Sequence, residues 1–357
     1  MLASPTSFEK SHMKNRLDVH QTFRWAASLR MLATAGVVSV TLAGCGGGDD
    51  PVAPTPLLVG NTRGANVVSI DRQTGAYIKD FIPAGSGGLT DPDDLTFGPD
   101  GNLYASSGSN TGGQILRYDG KTGAFLGVFA QSASLKRPYG NAFGPDGNLY
   151  VASFRSDEIL KYDGKTGAFM SVFASGNGTA AGLLNGPNDL LFAPDGKLYV
   201  TTQGSVADKL GGISYKFDSQ VLRYDLTTRA GEVFAGAPTP TPNGGGYVSL
   251  LGLANGLDGL LYTTDFAGGI RSYDRTTKAL KQTLDTGKLF GGTIATTVGN
   301  LTFGSDGALY APVFNADRTG VVANGVAKCS LSAGSCQLIT TNNVNLSRPI
   351  GVATATP

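Results

Sequence analysis

Aspartate, asparagine and two arginines are the residues of this 357-residue chain whose types and spacing offer chemistry. Asp93-Asp94, Asn188-Asp189 and Gly299-Asn300 each precede a nearly identical run (LTFGPDG, LLFAPDG, LTFGSDG). Tyr139-Gly140, Leu251-Gly252 and Ile350-Gly351 hold the same place in related runs, and Arg137 and Arg348 stand just ahead of two of them. Carboxylate and amide oxygens brought together from Asp93, Asn188 and Asp189 would suit a hard cation such as Ca²⁺ or Mg²⁺. The same side chains also bond orphan backbone amides where strands begin. The residue types leave both uses open. Asp94, Tyr139, Asn188, Asn300, Arg137 and Arg348 are the candidate ligand contacts around such a site.

Histidine chemistry is excluded by the N-terminus. Lys14, Arg16, Arg24 and Arg30 precede an apolar run over 31–42, too short for a stable bilayer span, and the run ends in Leu42-Ala43-Gly44-Cys45. This order resembles a bacterial lipobox, which implies cleavage before Cys45 and its lipidation. The basic residues lie far upstream, so Met13 is an alternative start. Residues 1–44 are expected to leave as a signal peptide, taking His12, His20 and Trp25, the only histidines and tryptophan. They also take five of the 28 basic and two of the 27 acidic residues, leaving 23 against 25 and a formal charge of −2. A triad or a histidine ligand is then impossible. Charged residues at 15% and no basic surplus exclude a nucleic-acid protein. Residues 45–56, rich in Gly and Pro, read as a tether, and by resemblance to proteobacterial lipoproteins Gly46 after the Cys implies sorting to the outer membrane. The expected partner is the membrane, through a lipid at Cys45, with an unknown small molecule, glycan or envelope protein as ligand.

The elements that must position the candidate residues are repeated. Residues 97–130 and 143–174 are nearly the same text, with turns at Pro99-Asp100-Gly101 and Pro145-Asp146-Gly147 and second turns at Asp119-Gly120 and Asp163-Gly164. Asp-Gly between runs of β-formers demands positive φ and signals a hairpin. The first turn recurs at Asp195-Gly196, Asp258-Gly259 and Asp306-Gly307, and the second at Asp71, Asp225 and Asp274. Each unit is therefore a four-stranded antiparallel meander, strands A to D. Such units at this period predict an all-β, six-bladed β-propeller over 57–357. Residues 57–82 supply strands B to D without an A. The terminal 348–353 (RPIGVA) matches the start of strand A at 137–142 (RPYGNA), so the C-terminal strand completes the first blade and closes the ring. In the sixth blade Cys329 and Cys336 take the Tyr and Phe positions of the second hairpin, face each other, and read as a disulfide.

Strand direction puts the A–B and C–D turns on one face. The B–C and D–A loops share the other face with the start of every strand A. Length variation falls there: 203–219 in the fourth blade, and 175–186, 236–247 and 291–298 before strands A. Elaborated loops on a rigid scaffold mark the expected binding face.

Leu149-Tyr150-Val151-Ala152 followed by Lys161-Tyr162-Asp163 resembles the NHL-repeat class of propeller, from Leu57 to the C-terminus. That class usually has Asp after the second strand; Asp265 fits, whereas Ser153 and Thr202 do not. The repeats also resemble the senescence-marker-protein/gluconolactonase family, which implies hydrolysis of a lactone or related ester by metal-bound water. Asp93 and Asn188 match that family's acidic and Asn positions. Both precede Asp rather than Gly, and its third ligand has no counterpart here. The resemblance would make Asp93 or Asp189 ligand or base, with Asn188 orienting. Streptogramin lyases and paraoxonases share the propeller but use histidines. WD-repeat and quinone-cofactor propellers need tryptophan motifs. Three functions remain: a binding or scaffold module of the bacterial cell envelope, a metal-dependent lactone or ester hydrolase, or a substrate-delivery or assembly lipoprotein with no recognition chemistry of its own.

Overall fold

A computed structural model describes residues 55–354 apart from 110–111, 180–182, 209–211, 237–249, 266–268, 288, 292–295, 318–319 and 342–344. The expected signal peptide, Cys45 and most of the tether lie outside the described residues, as does most of the 236–247 loop. The described chain forms six four-stranded antiparallel blades. Pro349–Thr354 pairs with Pro56–Asn61, with Leu58 opposite Ala353, so the C-terminal strand closes the ring as the repeat count requires. Closure removes the free inner edge an open sheet would expose.

The repeated turns have a structural cause. The Asp of each first turn accepts the hydroxyl of the Tyr in the following strand B: Asp100–Tyr104 at 2.9 Å, Asp146–Tyr150 at 3.0 Å, Asp195–Tyr199, Asp258–Tyr262 and Asp306–Tyr310 at 2.7 Å. These Tyr rings are buried, and four of them meet Phe rings edge-on, as Tyr104 does Phe129 of its own blade (4.8 Å) and Phe143 of the next (4.9 Å). The Asp of each second turn caps its own loop, as Asp163 Oδ1 does by accepting from Thr166 N at 2.8 Å. One repeated aspartate therefore locks a blade to its Tyr, and the other shapes a turn. Neither is free for chemistry.

Cys329 and Cys336 are directly paired across the sixth blade's outer hairpin and joined by a disulfide. Insertion 203–219 is more than a loop. Ser205–Ala207 and Ile213–Tyr215 form a small hairpin, tied to the third blade by Asp157, which accepts from Ala207 N and Gly186 N at 2.8 Å each.

Strand A differs from expectation in one respect. In the second blade it starts only at Leu95, so Asp93-Asp94 precede it, and in the sixth it is split into Thr297–Val298 and Thr302–Phe303. In the other four the A–B register slips across the same two residues. Pro138 opposes Ser153 but Asn141 opposes Val151; Pro187 opposes Thr202 but Leu190 opposes Val200. The same slip spans Leu251-Gly252 and Ile350-Gly351. This is a β-bulge, which frees backbone groups at the inner rim and requires other partners for them.

Candidate functional site

The bulges decide where the candidate residues go. At their second position, blades two, four and six carry Asp94, Asp189 and Asn300, and blades three, five and one carry Gly140, Gly252 and Gly351. The polar residues take up the freed amides. Asp94 Oδ2 accepts from Asn141 N (2.7 Å) and Asn141 Nδ2 (3.2 Å) of the third blade. Asp189 accepts from Leu190 N (2.8 Å) and from Leu253 N (2.7 Å) of the fifth. Asn300 Oδ1 accepts from Leu301 N (2.9 Å), while its Nδ2 donates to Asp94 Oδ1 at 3.1 Å. The glycines make room for them. A Cβ on Gly140 would lie 2.7 Å from Asp189 Cα, and one on Gly252 would lie 2.3 Å from Asn300 Oδ1. Asp94 and Asp189 thus staple neighbouring blades, and Asn300 reaches from the sixth blade past the first to Asp94 of the second.

On the loop face, above these staples, lies a cavity of about 120 Å³ lined by Asp93, Tyr139, Asn188, Gln203, Tyr215 and Arg348, with Leu251 and Ile350 as apolar wall. Asp94, Asp189 and Asn300 form its floor and also line a second cavity on the far side. Asp93 Oδ1 accepts from Thr62 Oγ1 (3.1 Å), and its Oδ2 lies 3.8 Å from Arg137 Nη2. Arg137 also reaches Asp91 Oδ2 at 3.3 Å and donates from Nε to the Tyr139 hydroxyl at 3.1 Å. Asn188 is 6% exposed, and its Nδ2 has no hydrogen-bond partner. The structure places Asp93, Asn188, Tyr139 and Arg348 around one mouth, whereas Arg137 is not among the residues that line it. Sequence reasoning missed Gln203 and Tyr215, which the inserted hairpin carries over the rim; the length of that insertion was the available signal.

Burial sets the electrostatics. It pushes Asp93 up to about 6, against the charges of Arg137 and Arg348. It pushes Asp94 to about 6, against the amides of Asn141 and Leu95. Asp189 is raised well above the ordinary carboxylate range by burial and then by the nearby charge of Asp94. These are the signatures of desolvation. Among the described residues, no group of three or more His, Cys, Asp or Glu side chains is gathered as metal ligands would be.

The class is a six-bladed β-propeller. The chain matches no protein-family model and no curated protein. It is similar in fold to a chain of the nidogen/laminin complex (TM-score 0.58, 15% identity, 85% of this chain and 98% of that one). A protein of unknown function from Bacteroides caccae is similar as well (TM-score 0.57, 14% identity, 84% and 98%). So is streptogramin B lyase (TM-score 0.50, 17% identity, 84% and 88%). At such identities the likeness extends to the fold.

Proposed function

We propose that this propeller is a binding module of the bacterial cell envelope, anchored at Cys45, that recognises its ligand at the channel mouth on the loop face. The observation that carries the reading is how the polar groups are divided. The floor carboxylates are spent on main-chain amides, whereas Asn188, which lines the cavity, has a buried Nδ2 without a partner among the described residues. An unpartnered buried donor costs about 1–3 kcal/mol, which a ligand oxygen would offset. The cavity suits a group rather than a whole molecule: about 120 Å³ is far below the roughly 300–1,000 Å³ of a pocket that swallows a drug-sized ligand. The mouth therefore takes the end of something larger. The folds of the nidogen/laminin complex and streptogramin B lyase agree with a binding or an enzymatic propeller alike.

A divalent ion held by Asp93, Asn188 and Asp189 is less well supported. Asp189 gives both oxygens to amides, and a guanidinium already sits beside Asp93. No hydrolytic step is derived through such an ion.

The test is thermal-shift screening of detergent-purified protein against neutral sugars, acidic sugars and short peptides, beside Asn188→Ala. At least one class should stabilise the parent and lose its effect in the variant. Lactone hydrolysis restored by Ca²⁺ or Mg²⁺, with no ligand-induced shift from any class, would overturn the binding reading. Cys45→Ser should release the protein from the membrane fraction.

A further inference from the structure

Four blades enter strand A through a residue followed by proline: Arg348-Pro349, Asp91-Pro92, Arg137-Pro138 and Gly186-Pro187. In all four the first residue is left-handed, with φ of 55°, 41°, 50° and 63°. Side chains with a Cβ resist that conformation, and a following proline restricts the backbone further. Gly186 is suited to the slot, and a Cβ there would meet Ser205 Oγ at 2.0 Å. The other three blades hold charged residues in it. Such strain persists where the surroundings over-determine it, and it clusters at ligand sites.

The two arginines occupy equivalent slots but meet different neighbours. Arg137 faces the matching slot of the second blade, Asp91, and its charge is spent there and on Asp93. The slot of the sixth blade that matches Asp91 holds the neutral Thr297, so Arg348 has no counterpart of that carboxylate in the sequence of the preceding blade. Arg348 lines the cavity, and among the described residues it has no side-chain hydrogen bond and no ion pair within 4 Å, although its charge acts on Asp93. Asn188 and Gln203 line the same cavity from the fourth blade.

We propose that the channel mouth binds a carboxylate group, with Arg348 as its anchor and Asn188 Nδ2 as a second donor. This rests on the binding reading above and names its ligand class. A planar carboxylate matches the guanidinium fork, and a single negative charge is the smallest addition to a mouth where Arg348 already acts on Asp93. A phosphate dianion would bring excess charge towards Asp93, Asp94 and Asp189. The cavity, about four waters in volume, holds a carboxylate head, leaving the remainder of the ligand to exit past Leu251 and Tyr215.

Calorimetric titration of detergent-purified full-length protein with matched pairs tests this: galacturonate against galactose, and N-acetylalanine against its amide. In at least one pair the acid should bind about tenfold more tightly or better than its neutral partner. Arg348→Gln should abolish that difference and Arg348→Lys restore part of it, since lysine keeps the charge without the fork. Asn188→Ala, remote from the strained slot, should weaken the acid severalfold in a folded protein. Preference for galacturonate alone would identify an acidic sugar, and preference for N-acetylalanine alone a peptide terminus. Equal binding of acid and neutral partner, no binding of either acid, or an acid affinity unchanged by Arg348→Gln would each overturn the proposal. Neutral members binding alone would remove the carboxylate while leaving the mouth a binding site.

Discussion

Replacing Asp189 with alanine should destabilise the propeller by about 2–6 kcal/mol, whatever it does to binding. Asp189 Oδ1 accepts from Leu190 N at 2.8 Å and Oδ2 from Leu253 N at 2.7 Å, both in buried surroundings. Alanine leaves two buried donors without acceptors, at about 1–3 kcal/mol each. The second bond joins the fourth blade to the fifth, so its loss acts on the ring and not on one strand. Relief of a buried carboxyl works in the opposite sense and depends on pH. Because burial raises the folded-state pKa of Asp189, the folded protein keeps a proton that the unfolded chain releases. The wild-type group is thus most favourable at low pH, and the measured loss should be larger at pH 5 than at pH 8. Urea denaturation followed by circular dichroism at the two pH values gives both numbers. A loss below about 1 kcal/mol at pH 5, or one that grows with pH, would refute the staple. Asp189 would then return to the candidates for a metal ligand or base.

Gly252→Ala should cost at least about 1–3 kcal/mol, because the new Cβ would lie 2.8 Å from Asn300 Cα and 2.3 Å from its Oδ1. Gly236→Ala, where a Cβ meets nothing within 4 Å, is the matched control; equal effects of the two on the denaturation midpoint would discredit the alternation of glycine with Asp and Asn. The pH profile supplies a further check. Asp93 and Asp94 rise to about 6, so between pH 4 and 6 the folded state holds more protons than the unfolded state, and stability must fall as pH rises through that window. A shift of about two units corresponds to roughly 3 kcal/mol per group. Below pH 4 the lowered carboxylates, such as Asp146 at about 2, reverse the slope. Maximum stability is therefore expected near pH 4–5, and a profile that rises from pH 5 to pH 8 would contradict it.

Much of the architecture was legible in the sequence because its signals are local. Asp146-Gly147 and Asp163-Gly164 need positive φ or a capped turn wherever they stand, so their recurrence counted the strands. Cys329 and Cys336 fell opposite each other once the hairpin register was known. RPYGNA and RPIGVA could be aligned by eye, and that placed the C-terminal strand in the first blade. The candidate site was legible only as a set of positions. Asp93, Asn188 and Asp189 look alike in the sequence, yet Asp93 lies beside Arg137, Asn188 has a free donor, and Asp189 is spent on amides.

The sequence by itself determined the six blades, the closing strand, the disulfide and the face on which the loops vary, since each depends on contacts within a hairpin or between copies of one repeat. Only the tertiary structure decided which polar groups are free. That depends on the bulge in strand A, on glycines that let the next blade approach, and on the carboxylates, Asp91 and Asp93, that Arg137 meets. Hydrogen-bond demand at the inner rim is set between blades, and spacing within a repeat carries no record of it.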